Sequence, residues 1–413
     1  MSFLNPVFSA EGVSYRDGKR YAWLTSILMP AVLGCGPLFY WLTGSVASMW
    51  IPALAIYVLI PLLDMLIGED RNNPPEAVVP QLEADPYYRW ATYLLVPVLW
   101  AAFLVNAWFV GTTELPWTGI AAIAMNTGIL CGFAINLGHE LGHKKSKLER
   151  DLATAVLSMG AYGHFAIDHN RGHHRHVATP EDCASSRMGE NLYVFAVREL
   201  PGAFFRAWFL ETGRLERHGR RARSWDNEIV RAGLVTVGVS VALVAAFGWV
   251  MVPYLLTTYF VGAFHLTMAN YIEHYGLLRQ KRPNGLYERC QPHHSWNSNH
   301  IVSNWAIFHL QRHSDHHAHP GRRYQSLRHF DGLPTLPNGY FGMFLVALVP
   351  PLWFRVMDPL LLEHTERDAS RIHFYPKRRA ELCARYGLAD DAAADLPSLA
   401  SDGRSGRVEE RAA

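Results

Sequence analysis

The chain has 413 residues, of which 50% are hydrophobic and 12% aromatic, and its formal net charge is only +2. A balance this close to neutral excludes a general nucleic-acid-binding protein. The five cysteines include no C-x-x-C pair, which argues against a disulfide framework and against a cysteine-ligated iron or zinc site within this chain.

Long segments without charge indicate membrane helices. Asp, Glu, Lys and Arg are all absent from residues 21–63, 90–113, 115–139 and 232–272. One crossing of the hydrocarbon core needs about 20 helical residues. The first and last segments are about twice that length and predict helical hairpins, whereas the two middle segments predict single crossings. Six transmembrane helices are therefore expected, over residues 22–43, 46–63, 90–111, 117–138, 231–250 and 253–274.

The basic residues predict the orientation of these helices. The turns at one end of the spans carry no Lys or Arg, whereas the other end carries Lys19, Arg20, Arg71 and Arg89, followed by basic segments after residues 144 and 279. Because Lys and Arg are enriched in cytoplasmic loops, both termini are expected on the cytoplasmic side.

The same pattern divides the chain into five zones of an all-α membrane protein with a cytoplasmic helical cap. Residues 1–143 hold the N-terminal segment and four spans, 144–230 a cytoplasmic insertion, 231–274 the last two spans, 275–386 a second cytoplasmic segment, and 387–413 a tail of disordered composition. In the fourth zone the apolar run "YFGMFLVALVPPLWF" is interrupted by Pro350 and Pro351. It is expected to be an interfacial helix, with a seventh span as the alternative.

Nine of the 21 histidines fall in four short motifs: "HELGH", "DHNRGHH", "NYIEHYG" and "QRHSDHHA". Residues at i, i+3 and i+4 share one face of a helix, so a helical motif can present two or three imidazoles to one metal centre. In particular, His169 and His173 are expected to pair on one face, with His174 next to them on the edge of that face. The candidate metal ligands are His139, His143, His169, His173, His174, His274, His313, His316 and His317.

The predicted topology brings these motifs together, because His139 and His274 end spans on the cytoplasmic side and the other motifs lie in cytoplasmic segments. Zinc takes about four ligands, so nine imidazoles suit two metal ions. Imidazole binds iron, copper, zinc and nickel, which leaves the metal open.

Two other functions compete at this point. "HELGH" matches the zinc-protease motif H-E-x-x-H with Glu140 as general base, but that function leaves seven clustered histidines unused. A metal transporter would carry polar ligands near the middle of its spans, whereas these histidines lie at one end.

The four histidine motifs on a polytopic membrane protein resemble the integral-membrane non-haem diiron family, which includes fatty-acyl desaturases and alkane and xylene hydroxylases. Within that family, "NLGHELGHKK", "NYIEHYGLLRQ" and "LQRHSDHHAHPGRR" are similar to the bacterial alkane 1-monooxygenases. The resemblance covers residues from about 15 to about 360, and "NYIEHYG" separates hydroxylases of this type from desaturases. One departure is Asp168, which stands where the family usually has Glu.

This resemblance implies that the nine histidines hold two iron ions in a bacterial inner membrane protein. It implies terminal hydroxylation of medium- or long-chain n-alkanes to 1-alkanols with O₂ and two electrons. A rubredoxin, itself reduced by an NADH-dependent flavin reductase, would supply the electrons. Another membrane diiron hydroxylase or a fatty-acyl desaturase is the alternative, which product analysis separates.

Further residues have predicted supporting roles. Ligating histidines usually donate their second N–H to a carboxylate or carbonyl, and four acids lie beside ligands in the sequence: Glu140, Asp168, Glu273 and Asp315. Ile56, about two turns before the end of the second span, is a candidate for the substrate channel. The basic stretches at 214–223, 321–323 and 377–379 are candidates for docking rubredoxin, although anionic lipid headgroups would explain the same charges.

Overall fold

The computed structural model describes residues 5–389. Within this range the secondary structure is almost wholly helical, and its strands form one antiparallel hairpin, Phe8–Ala10 with Val13–Tyr15. The predicted all-α fold is confirmed. Nearly all of the predicted tail, 387–413, lies outside the described residues, and the other zone boundaries stay predictions.

The helices have the following bounds. The α-helices of eight or more residues are Thr25–Leu33, Gly36–Thr43, Ile60–Ile67, Pro86–Thr112, Trp117–Gly142, Lys147–Met159, Leu192–Arg217, Glu228–Phe247, Met251–His274, Tyr340–Ala347, Pro350–His364 and Arg379–Tyr386. Shorter α-helices are Ile51–Leu54, Val79–Ala84, Phe165–Ile167, His174–His176, Ile301–Ala306 and His313–Ala318. Two π-helical segments, Ala55–Leu59 and Asp168–His173, interrupt longer helices.

Four helices are long and apolar enough to cross a membrane: Val46–Ile67, Pro86–Thr112, Trp117–Gly142 and Glu228–Phe247. They coincide with four of the predicted spans, and the chain is a multi-pass membrane protein. The total of six stays a prediction, because the other two expected spans differ from straight apolar helices.

The first expected span is bent by 53° between Ala22–Leu33 and Gly36–Thr43. Pro37 lies in the first turn of the second piece, where its missing N–H is tolerated and the helix can restart. The last expected span, Met251–His274, has 24 residues but includes threonines, tyrosines and His265, which make it more polar than the four apolar helices.

The apolar run near the C-terminal end doubles back on itself. Its two helices, Tyr340–Ala347 and Pro350–His364, meet at an angle of 120°. Pro350 and Pro351 start the second helix, because a proline is favourable in a first turn and disruptive further along.

Close packing of two long helices fixes the position of the histidines. At Gly128 of Trp117–Gly142 an added Cβ would lie 2.4 Å from the Cβ of Val261, and at Gly262 of Met251–His274 it would lie 2.6 Å from that of Cys131. Small residues at such contacts let membrane helices approach closely. The two helices therefore hold His139 and His274 at the same end of the bundle.

Buried polar groups attach the helical cap to the spans. Asp64, at the end of the second span, accepts hydrogen bonds from the backbone N–H groups of Val302 (2.9 Å) and Ser303 (3.1 Å). These are donors in the first turn of Ile301–Ala306, so the carboxylate caps that helix. Arg312, 1% exposed, donates to the carbonyl oxygens of Leu327 and Asp70 and fixes the start of the last histidine motif.

Candidate metal centre

The structure brings all nine candidate histidines together at one end of the bundle, in two groups. Within each group, the nitrogens that could bind a metal lie within 4.8 Å of one another. The five-histidine group consists of His139, His143, His169, His174 and His316. The four-histidine group consists of His173, His274, His313 and His317.

A π-helix divides the second motif between the two groups, and the expected pairing of His169 with His173 is wrong. Asp168–His173 is π-helical, which closes its turns between residues i and i+5. His169 and His174 therefore meet, with their Nε2 atoms 3.0 Å apart, while His173 turns toward the four-histidine group.

The last motif is divided by ordinary α-helical geometry. In the helix His313–Ala318, His313 and His317 are four residues apart and their Nε2 atoms are 2.9 Å apart. His316 points to the other group, where its Nε2 lies 2.8 Å from that of His139. Two short segments thus lie between the groups and contribute histidines to both.

The nitrogen atoms in these groups fit metal ions better than they fit one another. His174 Nε2 lies 3.0 Å from His169 Nε2 and 3.1 Å from His316 Nε2. A neutral imidazole has one donor and one acceptor nitrogen, so three such atoms cannot all pair among themselves. His143 Nε2, His173 Nε2 and both nitrogens of His274 are buried without a hydrogen-bond partner. Buried polar atoms without partners cost free energy, which bound cations would recover.

The surroundings keep the imidazoles in the metal-binding form. Burial, reinforced by the neighbouring histidines, holds the pKa well below its usual range at His143, His169, His174, His313, His316 and His317. They are neutral at pH 7, and neutral imidazole is the form that binds metals.

Asp182, which is not among the acids predicted from the sequence, orients a candidate ligand. Its Oδ2 accepts a hydrogen bond of 2.9 Å from His173 Nδ1, and its Oδ1 contacts Arg206 at 2.6 Å. Burial alone would raise the pKa of Asp182, but His173 and Arg206 outweigh it and hold the pKa well below the usual range. A carboxylate that fixes the tautomer of a ligating histidine is typical of metal sites. The signal in the sequence was an Asp nine residues after His173, whereas the four predicted acids lie directly beside candidate ligands.

The four acids singled out in the sequence have different surroundings. Glu273 Oε2 lies 3.3 Å from His313 Nε2, the nitrogen that also faces His317. The other three acids form ion pairs: Glu140 with Lys144, Asp168 with Arg206, and Asp315 with Arg328 and Arg322. Asp168 reaches the ligands through Arg206, which joins it to Asp182. Their roles as supporting residues stay predictions.

An apolar cavity of about 60 Å³ leads from the two histidine groups into the helix bundle. Its metal end is formed by His139 and His169 of one group and His313 of the other. Toward the membrane it is lined mainly by apolar side chains, including Phe133, Ile135, Leu266, Phe341 and Phe344.

The far end of this cavity lies near Gly132 and His265. Gly132 is seven residues before His139, which corresponds to about 10 Å along the helix. Ile56 is buried, at 1% exposure, but it is not one of the lining residues. Its neighbour Tyr57 contacts the lining through a 2.7 Å hydrogen bond between its hydroxyl and His265 Nε2. The role of Ile56 in the substrate channel stays a prediction.

A third cluster, Glu288 with His293 and His294, has ligand spacing but different chemistry. His294 Nδ1 accepts a hydrogen bond from the backbone N–H of Gln291, so the proton lies on Nε2, which donates to Glu288 at 3.2 Å. Both nitrogens of His294 are therefore engaged, and this cluster serves the local turn.

Comparisons with known proteins agree with this arrangement. The fatty acid desaturase family matches residues 114–347. The chain is 52% identical to the alkane 1-monooxygenase of Ectopseudomonas oleovorans over 90% of this chain and 93% of that protein. It is 50% identical to alkane 1-monooxygenase 1 of Alcanivorax borkumensis over 93% of this chain and 95% of that protein. Identity to the xylene/toluene monooxygenase hydroxylase component of Pseudomonas putida is 24%. The resemblance seen in the motifs is confirmed: the chain belongs to the fatty acid desaturase family and, within it, to the alkane 1-monooxygenases.

Proposed function

We propose that this protein hydroxylates the terminal carbon of n-alkanes. One oxygen atom of O₂ enters the C–H bond and the other leaves as water, so each turnover consumes two electrons and two protons. The observation that carries the proposal is the apolar cavity, which ends against histidines of both groups. A substrate without polar groups is matched by apolar walls and is brought to the metal centre end-on.

The metal centre in this proposal is a pair of iron ions, one held by the five-histidine group and one by the four-histidine group. When bound, such a pair supplies the O₂ activation that side chains cannot, because an alkane C–H bond has no acidic proton for a general base. The protein contributes ligand orientation, as in the hydrogen bond from His173 to Asp182, and a mainly apolar cavity.

Electrons would come from rubredoxin on the cytoplasmic side of a bacterial inner membrane, where we place both termini and the metal centre. Arg322 and Arg323, 11% and 15% exposed, form ion pairs with Glu76, Asp315 and Glu149. They serve the fold. Residues 214–223 hold four exposed arginines, whereas only Lys377 is exposed in the stretch 377–379, which supports 214–223 as the more accessible basic surface for an acidic partner.

A salt titration tests this docking surface. Attraction between exposed charges is screened within about 8 Å at physiological ionic strength, so turnover limited by rubredoxin should fall as salt is raised. Arg217 and Arg221 are exposed, and replacing both with Glu should raise the KM for rubredoxin and leave the KM for alkane unchanged. An unchanged KM for rubredoxin would exclude this surface.

Product analysis tests the function itself. The protein with rubredoxin, reductase, NADH, octane and isotopically labelled O₂ should yield 1-octanol that carries the label. An alkene product, or an alcohol that lacks the label because its oxygen came from water, would contradict the proposal.

A further inference from the structure

A second, polar cavity adjoins the histidine groups. It has a volume of about 10 Å³ and is lined by His169 and His173 together with polar groups that the proposed function does not use. These groups are Tyr162, His164, Asp168, Glu199 and Asn270. A cavity needs about 10 to 15 Å³ to hold one water molecule, so this cavity has room for about one ordered water.

Glu199 is the distinctive group in this cavity. It lies on the helix Leu192–Arg217, is 1% exposed, and accepts hydrogen bonds from Thr267 Oγ1 (2.7 Å) and Asn270 Nδ2 (3.1 Å). Both donors are neutral, and within residues 5–389 Glu199 forms no ion pair, unlike Asp168 and Asp182, which share Arg206. Burial raises the pKa of Glu199 to about 7, so it can both hold and release a proton near neutral pH.

The groups around Glu199 suit proton transfer through water. The Tyr162 hydroxyl and His164 Nε2 are buried without hydrogen-bond partners, and water in the polar cavity would satisfy them. The charged groups nearby are Asp168 and Asp182, which raise the pKa of Glu199 further, and Arg206, which neutralises part of their charge.

The polar cavity and the apolar cavity share part of their walls. Phe165, His169, Leu266 and Asn270 line both. Asn270 therefore has Glu199 as its hydrogen-bond partner and also borders the space that ends at the metal centre. The walls of the apolar cavity are mainly hydrocarbon, although Glu273 and Tyr340 also border it. The polar cavity reaches His169 from its own side and adds His173.

We infer that Glu199 is a proton-relay residue, which takes up protons from the polar cavity and passes them, through water held beside Asn270, to the oxygen atom that leaves as water. This inference rests on the proposed function, because that reaction consumes two protons. Each proton that leaves Glu199 is replaced from solvent, and the carboxyl group undergoes no net change. Glu199 acts through water and Asn270 and is not itself a metal ligand.

The central test compares Glu199→Gln with Glu211→Gln in the iron-loaded enzyme. Glu211 is a buried acid on the same helix, but it pairs with Arg214 and Arg171 and is not one of the residues lining the polar cavity. Glu199→Gln should keep its iron, lose about 100-fold in kcat and release more H₂O₂ per alcohol formed, whereas Glu211→Gln should stay coupled. Glu199→Asp should restore part of the coupling. Wild-type kcat and coupling in Glu199→Gln would overturn the inference.

A second test does not depend on turnover. In the zinc-loaded protein, infrared spectroscopy should show a carboxylic acid band that titrates near pH 7 and is absent from Glu199→Gln. Thr267→Val removes a hydrogen bond that favours the charged carboxylate, so the midpoint should rise by about one pH unit. This variant keeps the test available if Glu199→Gln does not fold.

The two tests separate the inference from the function. An iron-loaded enzyme that forms no alcohol, together with a titrating band, would refute the proposed function and leave the proton exchange of Glu199 standing. A wild-type protein without a titrating band near pH 7 would overturn the relay even if octane is hydroxylated.

Discussion

Replacing Asp182 with Asn tests whether the histidine groups are separate metal sites. Asp182 accepts hydrogen bonds from His173 Nδ1 (2.9 Å), Arg206 (2.6 Å) and Ser185 Oγ (2.7 Å). Asn has nearly the same shape but only one acceptor oxygen and no charge, so it cannot hold both His173 and Arg206 in these positions. His173 belongs to the four-histidine group, so the loss of metal affinity should be greatest in that group.

The size of the effect follows from the contacts. Loss of a carboxylate that orients a ligating histidine typically lowers metal affinity 10- to 100-fold, which is about 1.4 to 2.8 kcal/mol. Removing one partner of a buried ion pair costs about 3 to 5 kcal/mol. Arg206 keeps its contacts of 2.6 and 2.8 Å with Asp168, so the stability loss should lie at or below the lower end.

A chelator titration of the metal-loaded protein measures the affinity of each site. Asp182→Asn should release one metal per chain at a 10- to 100-fold lower chelator concentration and retain the other near wild-type affinity. Asp64→Asn is the matched control, because it removes a buried carboxylate that caps a helix and contacts Val302 and Ser303. Equally weakened binding of both metals, or the same loss of affinity in Asp64→Asn, would refute the assignment of the two groups to separate metal sites.

Three further predictions concern the channel, the helix contact and pH. Ile56→Trp should shorten the longest alkane accepted, and an unchanged product range by gas chromatography would remove Ile56 from the channel. Gly132→Ala should lower the melting temperature and octane turnover, because the added Cβ would lie 2.9 Å from His265 Cβ, an overlap that costs about 1 to 3 kcal/mol. An unchanged melting temperature would show that the two helices can move apart at no cost in stability. Burial lowers the pKa of the His373 imidazole to about 3. In the unfolded chain this imidazole binds a proton below about pH 6.5, so its contribution to stability is present above that pH and is lost as pH falls, by up to about 1.4 kcal/mol per unit. The metal-free protein should therefore melt at lower temperature toward about pH 5, with a shallower slope in His373→Gln; equal slopes would show that His373 is protonated in the folded state.

The sequence was informative where a single local rule applies. Segments without charge located four spans, and the spacing of His139 with His143 and of His313 with His317 placed each pair in one group, because residues four apart share a helical face.

The structure went beyond the sequence where the rules conflict or the contacts are distant. No periodic pattern in the sequence predicts the π-helix Asp168–His173, which pairs His169 with His174 instead of with His173. Asp182 comes to His173 through a folded loop, and Arg206 lies 24 residues after Asp182. The bend in the first expected span depends on the prolines and glycines near Cys35 and on tertiary packing, which composition does not specify.

The most direct test of the whole account is metal content measured on the same purified sample that is assayed for product. We expect two iron ions per chain, together with 1-octanol that requires O₂, rubredoxin, reductase and NADH. One iron per chain, zinc in place of iron, or two irons without O₂-dependent alcohol would contradict the claim that the two histidine groups form a diiron hydroxylase.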